Sequence, residues 1–205
     1  MPNLVLVHGT WGRAQPWHFP GSALRLEAHA QGYEVWDFLW SGLLAGIPTE
    51  LPGDPLDAAV GADNGQLLPW LDAGEKLVLQ LQAWGIFEDP ALCLLTHSHG
   101  LQVGTYAVIR GARFRRWVSV SGPVRRDMLR ARRRARDGVG KWLQFADPSG
   151  ADHVIVAGEL ELGVFGPLAF DLPDGGTIHT PGTGHSGLLN DPDLRVKYQL
   201  WGGFA

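Results

Sequence analysis

A serine, an aspartate and a histidine lie in that order along the chain, each on a segment suited to a sharp turn or a loop. Together they have the makings of nucleophilic acyl transfer. The serine is Ser98, within Leu92-Cys93-Leu94-Leu95-Thr96-His97-Ser98-His99-Gly100-Leu101-Gln102-Val103-Gly104. An apolar, β-like run breaks at the serine into a helix-like stretch. A turn of that kind holds the serine in a strained backbone conformation and lifts its hydroxyl clear of the sheet. It also aims the first N–H groups of the following helix at a developing oxyanion. An ordinary N-cap serine, whose oxygen satisfies an orphan N–H, has the same local sequence. Against the Gly-x-Ser-x-Gly pattern, Gly100 is kept and Thr96 replaces the first glycine, a β-branched residue that crowds the turn.

Two further segments complete the chemistry. Near the start, Asn3-Leu4-Val5-Leu6-Val7 is a short buried-strand pattern running into His8-Gly9-Thr10-Trp11-Gly12. A tetrahedral oxyanion needs two N–H donors, one from the residue after the nucleophile and one from a loop that approaches closely, where glycine is favoured. His99 and Thr10 are the expected donors. Near the end, Thr180-Pro181-Gly182-Thr183-Gly184-His185-Ser186-Gly187 sets His185 on a glycine-rich loop, where an imidazole is free to exchange protons as a general base. Such a base needs a carboxylate to fix its tautomer and to stabilise the imidazolium. Asp147 and Asp152 both follow the strand-like Trp142-Leu143-Gln144-Phe145. Asp147 precedes Pro148, the usual setting of a turn-initiating Asp. Asp152 closes the turn just before Val154 and Ile155 and is preferred, with Asp147 in reserve.

The order Ser98, Asp152, His185, with His8-Gly9 after the first strand, resembles the α/β-hydrolase superfamily. Within it, His8-Gly9-Thr10-Trp11 and Thr96-His97-Ser98-His99-Gly100 are similar to the small bacterial lipases and esterases. The resemblance implies a nucleophile at Ser98, a base at His185, an acid at Asp152, and oxyanion donors at Thr10 and His99. It also implies a cleaved carboxylic ester with an apolar acyl or alcohol part, and no cofactor. The chain begins directly at the His-Gly strand, so a sheet lacking the family's first two strands is expected. Thioesterase, amidase or acyltransferase chemistry would use the same parts, and a non-catalytic binding protein could reuse the scaffold.

The elements that must position these residues alternate between strand and helix, which points to a mostly parallel sheet with helices on both faces. Strands are expected over 33–40, 92–95, 117–120 and 142–145, and helices over 66–84 and 101–110. Gly104 would allow close packing of the second helix on the sheet. The segment 42–64, rich in Pro and Gly, reads as a long excursion beside the site. At 205 residues one domain spanning 1–205 is expected, a size that buries roughly 70% of the unfolded chain's surface. A short cap over 122–140 is allowed.

Composition excludes several other classes. The single cysteine, Cys93, lies inside an apolar run, so no disulfide framework exists. No basic leader or long apolar stretch opens the sequence, so neither a signal peptide nor a membrane-spanning helix is expected, and the cytoplasm is the default compartment. Arg125, Arg126, Arg130, Arg132, Arg133, Arg134 and Arg136 crowd one stretch, which reads as a solvated helix. With a net charge of −4 and no aromatics interleaved among those arginines, nucleic acid is not the expected partner. The eight histidines lack metal-ligand spacing, so no metal is expected. Of the nine tryptophans, Trp11 on the oxyanion loop and Trp40 at the end of a strand are the candidates to line a substrate pocket. The partner implied is a small-molecule ester.

Overall fold

The apolar runs pair side by side. In the computed structural model, which describes residues 1–9, 15–40, 69–124, 128–154 and 176–204, six parallel strands form one sheet. They are β1 (Asn3–Val7), β2 (Glu34–Phe38), β3 (Cys93–His97), β4 (Phe114–Val120), β5 (Val139–Ala146) and β6 (Gly176–His179), in the order β2-β1-β3-β4-β5-β6. The helices are α1 (Ala23–Ala30), α2 (Pro69–Ala83), α3 (Gly100–Ile109), α4 (Leu129–Arg136), α5 (Gly187–Asn190) and α6 (Pro192–Lys197). Short 3₁₀ turns occupy Pro16–His18 and Leu200–Phe204.

Alternation along each strand sorts the core into two layers, as a sheet covered on both faces requires. Val5, Val7, Leu94 and Trp117 point to the side of α2, α3 and α4, where they meet Leu77, Val103, Tyr106 and Ala131. Leu4, Leu6, Leu95, Val118 and Phe145 point to the opposite side, against Leu24 and Ala28 of α1 and Leu188, Leu189 and Phe204 near the C-terminus. Cys93 is buried in that second layer, and burial pushes its thiol up to about 11.

Strand order determines where a site can form. The chain steps outward from β1 to β2, then crosses to the other side of β1 to lay down β3, which pairs with it from Leu4↔Cys93 to Val7↔Thr96. The carboxyl ends of β1 and β3 therefore flank the point where the winding reverses, the place where open α/β sheets bind ligands. The residues that follow, His8-Gly9 and His97-Ser98, emerge next to each other.

Several expected elements run longer or shift. β4 begins at Phe114 and β5 at Val139, because Phe114 and Val139 pair with each other and bury beneath the apolar residues expected to start these strands. The described part of the second helix starts at Pro69. α1 and β6 carry weak sequence signals. Only Leu24 and Ala28 of α1 are buried, with Ser22 capping its first turn by accepting from the Arg25 N–H at 3.3 Å. No residue of the edge strand β6 is buried. In the segment 122–140 the described residues form α4, which connects β4 to β5 and rests on α3. Arg130, Arg133 and Arg134 face outward, while Ala131, Ala135 and Arg132 turn inward. The buried Arg132 donates to Gln102 Oε1 at 3.1 Å and to the Pro123 carbonyl at 2.9 Å.

At Gly104 the expectation of close packing has a physical measure. A Cβ there would lie 2.5 Å from the Trp117 ring, so only glycine lets α3 sit this near the sheet. Gly12 and the excursion over 42–64 lie outside the described residues. Among the described residues no helix is long and apolar enough to cross a membrane.

Candidate active site

Ser98 sits between the last residue of β3 and the first turn of α3 with φ +53°, left-handed backbone that a non-glycine residue adopts at a cost of about 1–3 kcal/mol. The turn is held on both sides. The Ser98 N–H donates to the Val120 carbonyl at 3.0 Å, and the Leu101 N–H donates to the Ser98 carbonyl at 3.0 Å. Gly100 makes the turn feasible, since a Cβ there would come within 2.6 Å of the Val7 carbonyl oxygen. The crowding expected from Thr96 is accommodated, and its hydroxyl is used: Oγ1 accepts from the Trp117 indole N–H at 2.9 Å. Trp117 in turn stacks on Trp142 at 4.0 Å, so the strand beneath the turn is braced by β4 and β5.

The loop after β1 closes on this turn. A Cβ on Gly9 would lie 2.4 Å from Ser98 Cβ and 3.0 Å from Ser98 Oγ, so the approach predicted for an oxyanion loop requires glycine here. His8 anchors that loop. Its Nδ1 donates to the Gly9 carbonyl at 2.7 Å, and its Nε2 accepts from the Trp40 N–H at 3.3 Å. Trp40 is buried, lies parallel to the His8 ring at 5.6 Å, and donates its indole N–H to the His8 carbonyl at 2.8 Å. This exchange ties the end of β2 to the end of β1. Thr10 and Trp11 lie outside the described residues. His99 occupies the N-cap of α3 with its buried ring stacked on Trp70 at 4.9 Å, a pairing that no local sequence signal announces.

His185 and Asp152 meet. The imidazole Nδ1 lies 2.9 Å from Oδ1 and 3.0 Å from Oδ2 of Asp152, whose carboxylate is wholly buried. A carboxylate accepts only, so Nδ1 carries the hydrogen and Nε2 keeps its lone pair. Asp147 has a different position. Its Oδ1 accepts from the Ser149 N–H at 2.9 Å and from the Ser149 hydroxyl, and its Oδ2 accepts from the Gly184 N–H at 2.7 Å. Burial alone would raise its pKa, but the hydrogen bonds from Ser149 and Gly184 outweigh it and hold the carboxyl below its ordinary value. Asp147 thus grips the backbone of the histidine loop one residue before the imidazole, while Gly182 and Gly184 supply the positive φ that the loop needs.

His97 completes the assembly. Its Nε2 lies 2.9 Å from the His185 carbonyl oxygen and 3.2 Å from Ser186 Oγ, and the two imidazole rings are 4.7 Å apart. Among the described residues no three His, Cys, Asp or Glu side chains are grouped to hold a metal ion.

Solved structures sharing this architecture include the lipase BlEst2 of Bacillus licheniformis, 14% identical, with a TM-score of 0.59 over 98% of this chain and 91% of that one. The esterase domain of a Rhodothermus marinus protein is 13% identical, with a TM-score of 0.52 over 100% and 85%. RedJ, solved with a polyethylene glycol molecule bound in its active site, is 15% identical, with a TM-score of 0.52 over 100% and 92%. No family model matches the chain, and no curated protein matches it. The likeness is one of architecture: the chain has the α/β-hydrolase fold, on a single parallel sheet with helices on both faces.

Proposed function

We propose that this protein is a serine hydrolase that cleaves small-molecule carboxylic esters with an apolar acyl or alcohol part. One observation carries the reading. His185, paired with Asp152, sits on a loop whose backbone is bonded to His97, the residue that precedes Ser98, and Ser98 has the left-handed backbone that a nucleophile at a strand-to-helix turn would have. The lipase and the esterase domain among the structural relatives agree with it in kind.

In this mechanism His185 Nε2 takes the Ser98 proton as Oγ attacks the ester carbonyl carbon. The carbonyl π pair moves onto oxygen, which the N–H groups of His99 and Thr10 hold. Collapse expels the alkoxide, which takes the proton from His185 and leaves an acyl-serine. Water, deprotonated by the same histidine, then attacks the acyl carbon; collapse breaks the acyl–Oγ bond, His185 returns the proton to Ser98, and the carboxylic acid leaves. Asp152 keeps the imidazole in the Nδ1–H tautomer and stabilises the transient imidazolium. Trp11 and Trp40 are assigned to the apolar wall of the substrate site. Thioester, amide and acyl-transfer chemistry share every one of these steps except the identity of the leaving group or of the attacking nucleophile.

Treatment with a fluorophosphonate probe followed by mass-spectrometric peptide mapping tests the assignment. The label is expected on Ser98, and Ser98→Ala is expected to lose both the label and the turnover of a short p-nitrophenyl ester by on the order of 10³-fold or more. A fully active Ser98→Ala would refute Ser98 as the nucleophile, and a wild-type protein with neither label nor turnover would leave the binding-protein reading of the scaffold.

A further inference from the structure

We propose that His97 is a positioning residue for His185: its imidazole fastens the histidine loop to the end of β3, so that the loop and the Ser98 turn move as one body. The inference rests on the serine-hydrolase reading above and assigns a role that the triad itself does not include.

His97 is buried and is the last residue of β3, immediately before Ser98. A carbonyl oxygen can only accept, so the 2.9 Å contact to the His185 carbonyl requires the hydrogen to sit on Nε2. Nδ1 is then left with the lone pair, and it is buried with no hydrogen-bond partner among the described residues. Keeping an imidazole with one unsatisfied nitrogen in the interior is unfavourable, and an apolar side chain of similar size would avoid the penalty. What the imidazole supplies in return is a directional link, 88 positions apart in sequence, between the strand that carries the candidate nucleophile and the backbone of the candidate base. The ring is itself boxed in: Trp17 packs edge-on at 5.9 Å and the His185 ring lies at 4.7 Å.

The loop is thereby gripped at two successive residues from two strands. Asp147, after β5, holds the Gly184 N–H, and His97, ending β3, holds the His185 carbonyl. Neither contact engages the imidazole of His185, which stays paired with Asp152 while its backbone is held. Burial, with smaller contributions from His185 and other neighbouring histidines, pushes His97 down to about 3, so it stays neutral while His185 takes up and releases a proton. A cation at this distance would oppose each protonation of the base.

The test is a set of three variants, assayed for the second-order rate of fluorophosphonate labelling and for kcat and KM on a p-nitrophenyl ester. A glutamine amide reaches about as far as His Nε2 and can donate to the carbonyl, whereas an asparagine amide is shorter and leucine cannot donate. His97→Gln is expected to stay within a few-fold of wild type. His97→Leu and His97→Asn are expected to lose about 10- to 100-fold in labelling rate and kcat with KM little changed. If His97→Leu does not fold, the contrast between the two polar variants still decides the matter. Wild-type rates in folded His97→Leu or His97→Asn, or equal losses in His97→Gln and His97→Asn, overturn the inference while leaving the hydrolase intact. A wild-type protein with neither label nor turnover overturns the hydrolase reading and this inference with it.

Discussion

Acidification from pH 8 to pH 5 is expected to remove about 2 kcal/mol of folding stability through His97 alone. In the unfolded chain its imidazole titrates at the ordinary value of 6.5, whereas burial, reinforced by His185, pushes the folded value to about 3. The folded pKa of this base is depressed, so between those two values the unfolded chain binds a proton that the native protein refuses. Stability must then fall as pH falls. The contribution is complete above about pH 6.5, erodes through the window down to about pH 3, and is constant below it. Each unit is worth about 1.36 kcal/mol, so the one and a half units from 6.5 to 5 give about 2 kcal/mol. The assay is urea unfolding followed by tryptophan fluorescence at pH 8, 6.5 and 5, on wild type and His97→Gln. The difference between the two proteins cancels the carboxylates and the remaining histidines, and it should shift by about 2 kcal/mol in favour of the variant between pH 8 and 5. Parallel curves would mean that His97 is protonated, or solvated, in the native state, and the argument from its burial would fail.

The two aspartates separate by the kind of damage they cause. Asp152→Asn is expected to leave the thermal midpoint nearly unchanged and to lower kcat by on the order of 10⁴-fold, because an amide cannot hold the Nδ1–H tautomer. Asp147→Asn should instead cost about 1–3 kcal/mol in a denaturant titration, since it leaves the Gly184 N–H facing a group that need not accept, with less than tenfold lost from kcat of the folded fraction. The reverse pattern would exchange their roles. Gly9→Ala places a methyl 3.0 Å from Ser98 Oγ and 2.4 Å from its Cβ. A labelling rate lower by on the order of 10²-fold with an unchanged far-UV spectrum is expected, and a wild-type rate would show that the loop after β1 yields freely.

Much of the architecture is legible in the sequence because the strands are continuous apolar runs. Leu92 to Leu95 and Leu4 to Val7 leave neither face polar, the pattern of strands covered on both sides, and the Asp147-Pro148 dipeptide announces the turn that the Ser149 N–H closes. The turn at Ser98 is legible from Gly100 alone, despite Thr96, because the threonine hydroxyl finds a partner on β4 that only tertiary structure provides. Elements with few buried residues are illegible: α1 hides two, and Gly176–His179 is a half-exposed edge. The contacts of His97 with residue 185 and of His99 with Trp70 are equally hidden, since each joins segments that no local pattern relates.

The position of β1 between β2 and β3 has a consequence for biogenesis. β1 is an inner strand made before both of its neighbours, and the edge that β3 occupies among the described strands is filled only after residue 93 and beyond have been made. Until then an apolar ribbon with an open edge is exposed to mispairing with other chains. Because Gly9 and Ser98 come together only when that edge is filled, the proposed esterolytic turnover would double as a reporter that the nascent chain has completed the longest-range strand pairing among the described residues.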